Sequence, residues 1–292
     1  MKKTTKSTKN VFVFLFVLFV FFVVPVRAQY VVDVQVVDLQ VSVSDSEGNF
    51  VTDLKPEDFL VFEDGTPQEV LDLELNRQPF SIGVVLDTSD SMRSAFLTTK
   101  RATLDFLHSF HPQDEFFILT FDDRVVMRHE LTSASEWTAD QWKELNYGIR
   151  TRMYEGLLGA IDHVQSAHYP RRALFLISDG FNSAGKGDLP TVIETAQKHK
   201  VIIYSILLQD FFMDISVLQL LSEKTGGTCF TTYEKFPRLQ LAYQKIASDL
   251  AHRITLYYRS RSDYSKARKP EIKVQMKNPA WRVRYQKAYF PQ

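Results

Sequence analysis

Residues 86–92 read Leu-Asp-Thr-Ser-Asp-Ser-Met and follow directly on the apolar run 79–85, Pro-Phe-Ser-Ile-Gly-Val-Val. Asp87, Thr88, Ser89, Asp90 and Ser91 all carry side-chain oxygen, with no nitrogen or sulfur among them. Two kinds of chemistry suit such a stretch. The side chains can cap the next helix, since Asp, Ser and Thr accept its unpaired amide protons. Alternatively, they can hold a hard cation, because Mg²⁺ selects oxygen ligands. Two more segments present oxygen in a comparable setting: Thr151 in Gly-Ile-Arg-Thr-Arg-Met (148–153), and Asp179-Gly180 in Ser-Asp-Gly-Phe-Asn-Ser (178–183). Alone, Thr151 reads as a helix cap and Asp179-Gly180 as a turn. Taken together, Asp87, Ser89, Ser91, Thr151 and Asp179 favour the cation.

These groups share a site only if the fold gathers their loops. From residue 79 onward, strand and helix patterns alternate. Buried strands are predicted at 79–87, 115–121, 171–178 and 201–208, with a short one at 228–233. Helices are predicted at 91–110, 135–149, 153–167, 188–200, 214–226 and 237–252, and Gly226-Gly227 stops the fifth. The segment 124–131 reads as a strand joined to 115–121 by a tight turn at Asp122-Asp123. Asp90, Asp122 and Asp123 are taken as solvated turn residues. This order implies an α/β fold, with a mostly parallel sheet covered by helices on both faces. Ligands of such sheets sit beyond the carboxyl ends of the strands, where all three oxygen-bearing loops fall.

Both flanks are β-rich. Residues 30–76 alternate in Leu-Gln-Val-Ser-Val-Ser (39–44), turn at 46–49, and carry the hairpin signal Asp64-Gly65. Strand patterns return at 253–260, 271–277 and 281–290. The expected layout is an N-terminal β segment (29–78), an α/β domain (79–252) and a C-terminal β segment (253–292). The two β segments are expected to pair as one sandwich-like domain into which the α/β domain is inserted; two separate β units are the alternative.

The first 28 residues stand apart. A basic stretch (1–10), fourteen apolar residues (11–24) and Val26 and Ala28 at the −3 and −1 positions form a secretory signal pattern cleaved after Ala28. The apolar run is short of the ~20 residues a membrane span needs, although an uncleaved anchor is the rival reading. A secreted or periplasmic location follows. Without this segment the 35 Lys and Arg fall to 30, by loss of Lys2, Lys3, Lys6, Lys9 and Arg27, against 35 Asp and Glu. That mildly acidic balance argues against non-specific nucleic-acid binding. Cys229 is the single cysteine, so no disulfide forms within one chain, and it reads as a small buried hydrophobe. Residues 180–186 match Gly-x₄-Gly-Lys, but Gly187 stands where a phosphate-binding loop needs Ser or Thr. No His-Glu-x-x-His is present, and no nucleophile–base set emerges.

Asp-x-Ser-x-Ser after a buried strand, a Thr opening a later helix and Asp-Gly after a third strand resemble the von Willebrand factor type A domain. In that family these elements form the metal-ion-dependent adhesion site. The resemblance covers roughly residues 79–249, and the flanks are similar to those of bacterial secreted relatives. It implies that the Ser89, Ser91 and Thr151 hydroxyls coordinate Mg²⁺ or Mn²⁺, with Asp87 and Asp179 acting directly or through water. It further implies that an acidic residue of a partner protein completes the shell. Arg150 and Arg152 flank Thr151, where the family often has small residues. The reading is an exported, non-enzymatic binding protein; a scaffold that binds through its β domain and a metal-dependent hydrolase are the rivals.

Overall fold

The computed structural model describes residues 35–75, 79–108, 110–137, 147–208, 215–232, 236–261 and 269–288. The expected leader lies outside them, as does most of the helix expected over 135–149.

Six strands form the central sheet: β4 (Phe80–Asp87), β5 (Glu115–Phe121), β6 (Val125–Ser133), β7 (Arg171–Ser178), β8 (Val201–Leu208) and β9 (Cys229–Thr232). Their order is β6-β5-β4-β7-β8-β9, and every pair is parallel except β5 with β6. All eight residues of the central strand β4 are buried, as expected for a strand with helices on both sides. Gly83 has a packing reason. A Cβ there would lie 2.4 Å from both Leu174 Cδ2 and Phe117 Cζ, so only glycine lets those side chains close over the strand.

Among the described residues, five helices cover this sheet: α1 (Phe96–Leu107), α2 (Met153–His163), α3 (Leu189–Lys198), α4 (Ser216–Thr225) and α5 (Phe236–Ala251). On one face Ile82, Val84, Phe175 and Tyr204 pack with Phe106 of α1 and with Tyr243 and Ile246 of α5. On the other, Val85, Phe117, Leu174 and Ile203 meet Leu157 of α2, Val192 of α3 and Leu221 of α4. The helix expected to begin at 91 begins at Phe96. Asp90–Met92 form a single 3-10 turn, which leaves the hydroxyl-bearing residues in a loop. Gly226 takes φ 86° to end α4, the conformation glycine adopts most readily.

The second sheet is antiparallel throughout and draws on both ends of the chain. Its strands are β1 (Gln35–Ser44), β2 (Phe59–Glu63), β3 (Thr66–Glu74), β10 (Ile254–Ser260), β11 (Ile272–Met276) and β12 (Arg282–Tyr285), in the order β11-β2-β3-β10-β1-β12. β1 runs against β10 from Gln35↔Ser260 to Val41↔Ile254. Asp64 and Gly65, at φ 47° and 80°, make the two-residue turn between β2 and β3. The alternation legible at 39–44 buries Leu39, Val41 and Val43 with Phe59, Val61, Leu256, Tyr258 and Val274. The edges β11 and β12 meet at a bridge between Glu271 and Ala288, so the sheet curls around that core.

Where the two layers touch lies a knot of buried polar side chains. Asp249 of α5 accepts from Ser42 Oγ of β1 (2.7 Å), Arg284 Nη2 of β12 (2.6 Å), Arg253 Nη2 (2.9 Å) and the Tyr204 hydroxyl. Arg253 also donates to the Gly226 carbonyl. Among the described residues, no helix is long and apolar enough to cross a membrane.

Candidate metal centre

The chain leaves β4 at Asp87, and three loops converge there. Hydrogen bonds lace them in pairs. The first loop meets the second through Asp90 N–H to Gly148 O (2.8 Å) and Gly148 N–H to Thr88 O (3.1 Å). The second meets the third through Thr151 N–H to Ser183 Oγ (2.9 Å), while Ser183 N–H and Ala184 N–H donate to Thr151 O (3.0 and 3.1 Å). The third meets the first through Ser178 Oγ to Asp87 Oδ2 (2.7 Å) and Ser91 Oγ to Asp179 Oδ2 (2.6 Å). Gly148 is required for this closure, because a Cβ would lie 2.6 Å from Asp123 Oδ2 and 2.7 Å from Asp122 Cβ.

Asp87, Ser89, Thr151 and Asp179 are buried, and Ser91 opens to solvent. Asp87 Oδ1 accepts the Ser89 amide at 2.9 Å, and Ser89 Oγ lies 3.0 Å from Ser91 Oγ. This donor set suits Mg²⁺ or Mn²⁺. Ligands about 2.1 Å from an octahedral Mg²⁺ lie roughly 3 Å apart along each edge, close to the spacing from Ser89 Oγ to Ser91 Oγ and on to Asp179. Thr151 joins this cluster through its loop. Among the described residues, no three His, Cys, Asp or Glu side chains gather into a metal-binding group. Any cation held here therefore relies on hydroxyls.

Burial pushes the Asp87 carboxyl up to about 7, and the nearby Asp179 charge adds to the rise; bonds from Ser89 and Ser178 only partly offset both. Among the described residues, Asp87 makes no ion pair with Lys, Arg or His, and its largest influences are burial, the two serines and Asp179.

Sequence reasoning missed several members of this assembly. Asp122 is a buried brace, not a solvated turn residue: its Oδ2 accepts from Thr88 Oγ1 (3.0 Å) and its Oδ1 from Arg124 N–H (2.9 Å). Asp123 Oδ2 is also engaged, accepting Ile149 N–H at 2.8 Å. Asp90 does lie exposed, paired with Arg93 at 2.8 Å. Ser178, Ser183 and Asn182 position the loops, and Asn182 Oδ1 accepts the Tyr154 amide in the first turn of α2 (3.2 Å). A Ser or Asn within five residues of a strand end was the only available signal. Arg152 is tied to Glu155 at 3.0 Å, and Arg150 is exposed. Cys229 is partly buried, its thiol pushed up to about 12 by desolvation.

Comparison with known proteins finds the same fold. Residues 82–182 match the family described as von Willebrand factor type A domain. The fold is similar to a von Willebrand factor type A protein from Catenulispora acidiphila, with TM-score 0.54, 12% identity, and 88% of this chain and 63% of that chain covered. It is similar to proximal thread matrix protein 1 from the mussel byssus, with TM-score 0.52, 20% identity, and 63% of this chain and 49% of that chain covered. The same mussel protein with a zinc-occupied MIDAS motif gives TM-score 0.51 at 18% identity, over 63% and 48% of the two chains. The match thus spans about half the length of the mussel protein. No curated protein matches the sequence. The α/β layer has the von Willebrand factor type A fold.

Proposed function

We propose that this is an exported, non-enzymatic protein that captures another protein through a Mg²⁺- or Mn²⁺-dependent site. One observation carries the reading. Asp87 is a buried carboxylate at the carboxyl end of a central strand, with no ion-pair partner among the described residues and with hydroxyls and a second carboxylate beside it. The zinc-occupied motif of the mussel thread protein supports a cation at the corresponding end of this fold. Export rests on the signal pattern of residues 1–28.

Ser89, Ser91 and Thr151 would hold the cation by hydroxyl, and Asp87 and Asp179 would balance its charge. When bound, the cation offers a Lewis-acidic position that a carboxylate of the partner occupies. Two carboxylates nearly neutralise a dication, so an acidic partner is favoured when Asp179 acts through water. The lacing of the loops keeps the oxygens in place before the partner arrives, which lowers the ordering cost of binding.

Calorimetric titration of Mg²⁺ and Mn²⁺ into residues 29–292 tests the site. The parent is expected to bind one cation, and Asp87→Ala to bind none while keeping its circular dichroism. An Asp87→Ala isotherm matching the parent's would sink the assignment.

A further inference from the structure

Three of the eight large apolar side chains exposed among the described residues belong to the face that carries the metal loops. Ile149 is 89% exposed in the second loop, two residues before Thr151. Phe181 is 56% exposed in the third, two residues after Asp179. Leu97, 76% exposed, sits in the first turn of α1, just past the first loop. Single exposed apolar residues are ordinary. Here one stands on or beside each of three loops that converge on the same cluster of oxygens.

Their backbones are pinned. Asp123 Oδ2 holds the Ile149 amide at 2.8 Å, and Asp179 Oδ1, on a carboxylate of the site itself, holds the Phe181 amide at 3.1 Å. Side chains presented in solvent from a fixed backbone make a preformed apolar contact that loses little freedom on binding. The rim also carries arginines, although Arg93 is paired with the exposed Asp90 at 2.8 Å. Arg150 is exposed between Ile149 and Thr151 and makes no ion pair among the described residues, and the exposed Arg93 lies 5.0 Å from the Tyr147 ring. Aromatic and Arg side chains around a fully buried centre are the usual makeup of an interface hot spot.

We infer that Ile149 and Phe181, with Leu97 at the margin, set the specificity of this site, selecting a protein segment whose metal-seeking Asp or Glu is flanked by bulky apolar side chains. A partner carboxylate in a wholly polar segment would leave these side chains in water and gain only the cation. The inference rests on the metal-dependent reading above.

The probes are three immobilised synthetic peptides, with a central Asp flanked by Leu, a central Asp flanked by Ser, and a central Asn flanked by Leu, assayed with the full chain in Mg²⁺ and in chelator. The Leu-flanked Asp peptide is expected to bind at least about tenfold tighter than the Ser-flanked one, as burial of one or two apolar side chains allows. The Asn peptide should lose binding, and so should every peptide in chelator. In Ile149→Ser/Phe181→Ser the tenfold preference should vanish while the Mg²⁺ isotherm stays that of the parent. Equal binding of the two Asp peptides, a preference that survives in the double variant, or no peptide binding by a chain that does take up Mg²⁺ would each overturn the inference and leave the metal site standing. A parent that takes up no Mg²⁺ refutes the metal reading itself, and the inference falls with it.

Discussion

Two of the carboxylates buried in the α/β layer behave in opposite ways. Asp249 gives up its hydration to burial, but Arg253 and Arg284 more than compensate, and its carboxyl is held down to about 2. Asp87, comparably buried, meets hydroxyls, an amide and a second acid, and rises to about 7. The Asp249 knot is closed within the chain: Arg253 and Arg284 come from α5's end and β12, and they join the two sheets. Asp87 is left open. Two guanidinium groups surround Asp249, whereas Asp87 makes no ion pair among the described residues, as the proposed cation site requires.

The largest effect is expected on the closed side. Asp249→Ala leaves the wholly buried Arg253 without its counter-charge, and breaking a buried pair in this way costs about 3–5 kcal/mol. Denaturant unfolding should show that loss, with limited proteolysis attacking 35–75 early because Ser42 and Arg284 lose their common partner. A loss under about 1 kcal/mol would mean that the knot does not hold the layers together.

The same comparison predicts opposite pH slopes for the metal-free protein. Asp249 is depressed when folded, so its contribution is complete above about 4 and is lost as pH falls toward 2. Asp87 is raised when folded. Between about 4 and 7 the native state keeps a proton that the unfolded chain releases, so its contribution is full below about 4 and disappears as pH rises to 7. Unfolding midpoints measured from pH 4 to 8 should decline toward neutrality in chelator. In Asp87→Asn that decline should flatten, and in the parent saturating Mg²⁺ should offset it. A decline unchanged in Asp87→Asn would assign it to another group.

Much of this contrast could be read from the chain, because its strongest parts are local. Asp87-x-Ser-x-Ser sits at the end of an apolar run, Asp64-Gly65 takes the dihedrals of a two-residue hairpin, and Gly226 stops its helix in the left-handed conformation. What escaped was tertiary. The Asp122-Asp123 turn looks solvated from sequence because paired acids in a tight turn usually are. Asp122 is buried because the parallel register Asp87↔Phe121 sets that turn beside the mouth of β4. Likewise, no periodicity joins Asp249 to Ser42 and Arg284, which lie 207 and 35 residues away along the chain. The start of α1 was misplaced because Asp90, Ser91 and Met92 are compatible with a helix, and the converging loops hold them in a single turn instead.

The smallest effect, and the finest test, is expected at Asp122. Its Oδ2 fixes the Thr88 hydroxyl and its Oδ1 the Arg124 amide, so it acts on the first loop of the proposed site only through a neighbour. Thr88 keeps a second acceptor in Phe121 O at 3.3 Å, and the Thr88 amide also bonds that carbonyl, so the loop should loosen without collapsing. Asp122→Ala should cost about 1–2 kcal/mol, the range for losing a buried hydrogen-bond partner, and weaken Mg²⁺ binding about tenfold, as removal of a ligand-orienting group does. Asp122→Asn decides how the residue works. Its amide oxygen can still accept from Arg124 and its NH₂ can donate to Thr88 Oγ1, while the negative charge is gone. If Asp122 is a positioning residue, Asn restores most of the lost affinity. If Asn is as weak as Ala, the residue acts by charge, and the open side of the comparison includes a third carboxylate that the cation feels at a distance.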